Sequence, residues 1–211
     1  KDKVRHIVIN EKFPDLKDGW EIEAYQREKI FDQINDADED DLILYSDSDE
    51  IPNPNKLKNL SLEKRYGIFM QNFYVYKINI FNPHETPWEG TRVCRKRDLK
   101  SFTHLRKKIL KKNINKGFWK FNIEKNIEII NDGGWHFNNL YTVEKISKKL
   151  KTFQHIKFSD PKYSSEENIR KKINKLEDLF DRNHKYKIVD IDHIYPDYIL
   201  NNLNLFKDHI L

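Results

Sequence analysis

Cysteine is nearly absent from this chain of 211 residues, Cys94 being the only one. A single thiol excludes an intramolecular disulfide framework and any zinc site built from several cysteines. It suits a reducing compartment. No apolar run approaches the roughly 20 residues of a membrane-spanning helix, and no secretory signal peptide is recognisable. The sequence opens Lys1-Asp2-Lys3 without a methionine. It has no internal repeat, no low-complexity tract and no convincing linker. No DNA or RNA recognition motif accompanies the charge, although 39 basic against 34 acidic residues leave a formal net charge of +5. The excess sits in lysine-rich stretches, Arg106-Lys107-Lys108 with Lys111-Lys112 and Lys148-Lys149 with Lys151. These read either as solvated helix faces or as a surface for anionic partners.

What is present is a polar but globular composition. Hydrophobic residues make up 37%, charged residues 35% and aromatics 13%, too aromatic for a disordered segment. Val4 to Asn10 alternates and reads as a strand. Trp20 to Ile34 carries a partly helical apolar stripe. The acidic run Asp36 to Asp41 ends in Leu42-Ile43-Leu44-Tyr45, a short apolar run of the buried-strand type. Asn55 to Lys64 reads as a short helix and Gly67 to Phe81 as one long strand or a hairpin. Pro83 to Gly90 reads as a loop, and Thr91 to Arg95 as a strand. Asp98 to Lys112 is helical and basic, and Ile127 to Ile130 is a strand ending in the turn Asn131-Asp132-Gly133-Gly134. Helices are expected over Thr142 to Leu150, Ser164 to Asn183 and Pro196 to Leu203. Alternating strands and helices indicate a single α/β unit.

Three groups of residues carry chemistry. Asp47 and Asp49 leave the end of a buried strand, where ligands gather in open α/β sheets. Two carboxylates at that spacing can reach a hard divalent cation, Mg²⁺ or Mn²⁺, or its waters; a solvated acidic turn is the plainer alternative. Asp132-Gly133-Gly134-Trp135-His136-Phe137 combines a tight turn, an aromatic face for a sugar or base, and an imidazole able to bind metal or carry protons. His155, in Phe153-Gln154-His155, is a weaker candidate of that kind. In Trp88-Glu89-Gly90-Thr91-Arg92, Glu89 is a possible general base and Arg92 a phosphate clamp. Equally, Trp88 is core and Arg92 an ion-pair partner. Gln26-Arg27 is as ambiguous.

Leu42 to Pro52, L-I-L-Y-S-D-S-D-E-I-P, resembles the D-x-D-E-I-P signature of glycosyltransferase family 17. That family includes the enzyme that adds the bisecting β-1,4-linked N-acetylglucosamine to N-glycans, with bacterial and viral relatives. Tyr25-Gln26-Arg27, Trp88 to Val93, Gly134-Trp135-His136-Phe137 and Phe153 to His155 resemble further family elements in the same order, so the match runs from about Trp20 to Lys157. The usual D-V-D-E reads D-S-D-E here, with both aspartates intact. The resemblance implies a GT-A-like mixed sheet flanked by helices, a Mn²⁺ or Mg²⁺ ion, a UDP-sugar donor (UDP-N-acetylglucosamine first), a glycan acceptor and inversion at the anomeric carbon. On that basis Asp47 is assigned to the nucleotide and the metal's waters and Asp49 and His136 to the metal; Arg92 and Trp135 are the donor-binding candidates, and spacing makes Asp132, with Glu89 second, the candidate base.

The expected organisation is one domain over residues 1–211, with a catalytic core at 1–160 and a C-terminal helical extension at 161–211. The resemblance also implies an N-terminal strand and loop that hold the nucleotide, and the expected fold is a GT-A-like sheet without that strand. The expected location is the cytoplasm, as for a bacterial- or viral-type soluble enzyme, in preference to the Golgi lumen. Two competing readings remain at this point. One is a metal-dependent phosphoryl-transfer enzyme or nuclease, with Asp190 and Asp192 near His193 as a second acidic cluster. The other is a non-catalytic carbohydrate-binding module.

Overall fold

The computed structural model describes residues 3–12, 14–15, 18–152 and 156–211, the side chains of residues 156 and 157 apart. The architecture is mixed α/β, with parallel and antiparallel strand pairs and flanking helices. The chain forms two compact units. The first comprises Lys1–Tyr45, Ser61–Ile68 and Arg92–Ile129, the second Ser46–Leu60, Phe69–Thr91 and Ile130–Leu211.

In the first unit, helix α1 (Gly19–Glu28) starts where the Asp18 side chain accepts from the backbone N–H groups of Trp20 and Glu21, a standard N-cap. The expected helix to Ile34 instead breaks after Glu28 and resumes as a 3₁₀ turn at Phe31–Ile34. Strand β1 (Leu42–Tyr45) forms where the apolar run predicts it. Val4 to Asn10 form no strand, contrary to the alternation of that segment. Val4 is 79% exposed, and no strand pairs with the segment among the described residues. Alternation without a neighbouring ladder leaves the backbone groups to water.

Strand β2 (Glu50–Pro52) and the short helix α2 (Pro54–Lys58, capped by the Asn53 side chain) belong to the second unit. Strand β3 (Tyr66–Val75) contributes residues to both units, as does β5 (Trp88–Arg95), and β4 (Ile80–Phe81) lies between them in sequence. Gly67 to Phe81 is therefore the hairpin of the two expected alternatives, with Tyr74 opposite Phe81. β5 begins three residues before the expected strand and pairs antiparallel with β1, Tyr45 opposite Arg92. Helix α3 (Phe102–Lys108) is capped twice, by Ser101 Oγ and by the Glu28 carboxylate, which accepts from the N–H groups of Phe102 and Thr103.

Strand β6 (Ile127–Ile130) is as expected. The residues after it were expected as a turn alone; the turn is followed at once by strand β7 (Gly134–Asn138), which runs parallel to β3 and antiparallel to β2. Side chains alternate across β3. Phe73 and Val75 pack with Ile146 and Leu150 of helix α4 (Val143–Thr152) and with Ile169, Leu179 and Tyr186. Tyr74 packs on the other face with Trp135, Phe137, Tyr195 and Ile199. With both faces covered, β3 reads as a continuous buried run.

The remaining elements are α5 (Pro161–Ser164), α6 (Glu166–Asn174), β8 (Lys187–Ile188) and α7 (Asp197–Asn201). The expected helix from Ser164 to Asn183 stops at Asn174. Leu176, Asp181 and Asn183 adopt φ of 54°, 55° and 63°, and the chain folds back so that β8 pairs with β4.

Candidate functional site

Asp47, Ser48 and Asp49 form the turn that enters β2, and the geometry of β2 decides where that turn points. β2 and β7 are in register, Glu50 opposite His136, Ile51 opposite Trp135 and Pro52 opposite Gly134. The Phe137 N–H donates to the Asp49 carbonyl at 2.8 Å, carrying the ladder into the turn. The acidic segment and the Gly-Trp-His-Phe segment, 80-odd positions apart in sequence, are thus adjacent strands. Two glycines permit this approach. A Cβ on Gly134, whose φ is +127°, would lie 2.1 Å from the Ile51 carbonyl oxygen, and one on Gly133 would lie 2.7 Å from the Met70 nitrogen.

His136 is buried, with its ring against Phe73 and Trp88 at centroid distances of 4.4 and 4.8 Å. Its Nε2 lies 3.3 Å from Asp49 Oδ2, while its Nδ1 is buried without a hydrogen-bond partner. The Asp49 carboxyl is pushed up by burial, but the His136 hydrogen bond and charge and the Lys149 cation outweigh this and hold it below the usual carboxylate range. Lys149 reaches the site from α4 and donates to Asn139 Oδ1 at 2.8 Å. Burial lowers the Lys149 ammonium, and Asp49 offsets part of that fall.

Glu50 is not a ligand candidate but a strut. It is buried, accepting from the Trp88 indole N–H at 2.9 Å through one oxygen and from the Asp47 N–H at 3.2 Å through the other. The Trp88-Glu89-Gly90-Thr91 segment therefore braces the acidic turn from behind. Thr91 Oγ1 shares a 2.7 Å hydrogen bond with Ser46 Oγ and accepts from Gln71 Nε2 at 3.2 Å. Gly90 leaves room for Gln71, since a Cβ there would meet the Gln71 amide at 1.9 Å.

The structure brings Asp49, His136 and, through one cavity wall, Asp132 and Trp135 together. Asp132 is exposed, in a left-handed conformation (φ 52°), with its carbonyl held by Asn53 Nδ2 at 3.0 Å. Trp135 is buried, lines the cavity and donates its indole N–H to the Ile194 carbonyl. Glu89 is half-buried on β5 and does not line that cavity. Arg92 belongs to the first unit, where it is buried and donates to the Ile109 carbonyl at 3.3 Å. Arg27 is also buried there, paired with Glu23 and donating to the Tyr45 hydroxyl at 2.7 Å. His155 lies outside the described residues. Asp192 caps a turn through the Ile194 N–H, and no cluster of three or more His, Cys, Asp or Glu side chains able to hold a metal occurs among the described residues.

The family model of glycosyltransferase family 17 matches residues 1–192. The chain belongs to glycosyltransferase family 17. Comparisons with curated proteins and with solved structures gave no match. Membership makes the chain a glycosyltransferase by family, taking a sugar donor and a glycan acceptor. No helix among the described residues is long and apolar enough to cross a membrane.

Two residues of this candidate site escaped sequence reasoning. Glu50 was visible only as a third acid in a row. Lys149 was grouped with the basic face of its helix, although it stands three positions after Ile146 and one before Leu150, both buried. That spacing puts it beside the apolar stripe and is the signal that could have found it.

Proposed function

We propose that this chain moves a sugar from a UDP-sugar, with UDP-N-acetylglucosamine the first candidate, to a glycan hydroxyl with inversion and with the help of Mn²⁺ or Mg²⁺. The observation that carries the reading is the pairing at 3.3 Å of Asp49, on the turn into β2, with His136 of the adjacent strand β7. The Asp49 carboxylate oxygen and the His136 imidazole nitrogen, 3.3 Å apart, could together hold a hard divalent cation. Among the described residues no third His, Cys, Asp or Glu joins them; water and substrate phosphates would have to complete the shell of such an ion. When bound, such an ion neutralises charge on the departing diphosphate.

The remaining roles fall to this chain's own groups. Asp47, at the head of the turn, would take the nucleotide and the waters of such an ion. Lys149 adds a fixed positive charge beside Asp49 for the phosphates. The acceptor hydroxyl oxygen bonds to the anomeric carbon as the bond from that carbon to the diphosphate oxygen breaks, its electron pair leaving on the diphosphate. The hydroxyl proton passes to a carboxylate on the opposite face. Asp132 is the first choice for this base because it shares the cavity with Asp49, and Glu89 on β5 is second.

A donor-hydrolysis and transfer screen over nucleotide sugars, with Mn²⁺ and with EDTA, tests the proposal. The expected result is turnover of a UDP-sugar that requires the ion and falls about 100-fold or more in Asp49→Ala. Turnover unchanged in Asp49→Ala, or equal in EDTA, would overturn it.

A further inference from the structure

Beside Asp49 a cavity of about 830 Å³ opens, within the roughly 300–1,000 Å³ range of pockets that enclose a drug-sized ligand. Its floor is Trp135 and Phe137 of β7, and its far wall is the segment from His193 to Ile199. That wall is anchored. Trp135 Nε1 donates to the Ile194 carbonyl at 2.9 Å, the Tyr195 hydroxyl donates to the Ile78 carbonyl at 3.2 Å, and Ile199 is buried in the cluster below.

The chemistry of the lining points to one kind of occupant. Its acidic side chains are Asp49, Asp132 and Asp197; no lysine or arginine lines it among the described residues, and Lys149 touches its edge beside Asp49, through Asn139 and Tyr141. With Asp49 taken by the cation of the transferase reading, Asp132 and Asp197 are left to repel an anionic sugar. Tyr198 is 65% exposed although it lines the cavity, and its ring is held edge-on by Phe206 at 6.2 Å. α7 explains this arrangement: Ile199 takes the inward position of the helix and Tyr198, one residue earlier, the outward one. Tyr141 is also exposed, but Lys149 Nζ stands over its ring at 5.7 Å. An electron-rich aromatic face beside carboxylates and the Asn53, Asn55 and Asn72 amides matches a pyranose. The sugar's C–H bonds lie on the ring face and its hydroxyls donate to the acids.

We infer that this cavity is the subsite for an uncharged saccharide acceptor, with Tyr198 as its stacking platform and Asp132 and Asp197 excluding anionic sugars. The inference rests on the transferase reading, which makes the occupant of a cavity shared by Asp49 and Asp132 the acceptor.

The test is saturation-transfer NMR with chitotriose, mannotriose and trigalacturonate on the wild type, Tyr198→Ala and Asp197→Lys, with thermal melts to establish folding. At least one neutral trisaccharide is expected to bind the wild type and to bind about tenfold more weakly to Tyr198→Ala, the scale of one aromatic contact. Trigalacturonate is expected to bind only to Asp197→Lys. No neutral binding, neutral binding unchanged in Tyr198→Ala, or trigalacturonate binding to the wild type as well as the neutral sugars would each overturn the subsite. Wild-type donor hydrolysis, measured in parallel, separates the two levels. Hydrolysis without saccharide binding sinks the subsite alone, whereas Tyr198-dependent saccharide binding without hydrolysis of any nucleotide sugar upholds the subsite and sinks the donor reading.

Discussion

Glu50 and His136 are register partners across β2 and β7, and this pairing places the carboxylate of Asp49 within 3.3 Å of the imidazole. The acidic turn and the histidine strand are one ladder, so a change to the ladder is a change to the site.

Glu50 should therefore behave as a positioning residue. Trp88→Phe removes the indole N–H that Glu50 accepts and leaves a buried carboxylate oxygen short of a donor. The expected cost is about 1–3 kcal/mol of stability, measured by urea unfolding, with a fall in transfer rate as the turn loosens. In a Glu50→Gln background the same Trp88 change should cost less, because no buried charge is then left short of its donor.

Gly134→Ala should be severe. Its φ of +127° and a Cβ 2.1 Å from the Ile51 carbonyl oxygen leave no relaxed arrangement. The backbone strain alone costs about 1–3 kcal/mol, and the contact adds to it. Chemical denaturation should show the loss, and β2–β7 amides should lose hydrogen-exchange protection. Unchanged protection would contradict the paired-strand account.

Lys149→Met should weaken UDP binding about tenfold, the scale of one charge-assisted contact, while leaving the melting temperature within a few degrees. Titration calorimetry reads the first and a thermal melt the second. Equal UDP affinity in the variant would remove Lys149 from the phosphate role.

Away from the site, Asp178 makes stability fall with acid. Burial pushes its carboxyl up, but the Arg182 guanidinium and N–H and the Tyr186 hydroxyl more than offset this, so it titrates below the ordinary 3.8. Because the folded value is depressed, its contribution is present above the unfolded value and is lost as pH falls through the folded one. Urea unfolding between pH 5 and pH 2 (a range of roughly one to two units around the ordinary carboxylate value) should show a steeper loss for the wild type than for Asp178→Asn.

Much of this was legible in the sequence. Leu42 to Tyr45 and Ile127 to Ile130 are strands where apolar runs end in polar turns, and the D-S-D-E-I-P and G-W-H-F segments of the family resemblance are neighbours in one ladder. Legibility failed where a tertiary partner decides the outcome. Gly133-Gly134 reads as a turn, yet Gly134 starts β7 because β2 and β3 flank it. Val4 to Asn10 has the strand pattern without a strand neighbour. Leu176 ends its helix region in a left-handed conformation that no glycine announces. The brace from Trp88 to Glu50 joins residues 38 apart, and a segment that reads as loop gave no hint of it.

The central claim is that the acidic turn and His136 together hold a cation that holds UDP. The direct measurement is the thermal stability of the wild type and His136→Ala with UDP, in Mn²⁺ and in EDTA. The account predicts that UDP stabilises the wild type only in Mn²⁺, by about 2.7 kcal/mol at 100 times the dissociation constant, and does not stabilise His136→Ala. Equal stabilisation in EDTA, or in His136→Ala, would contradict it.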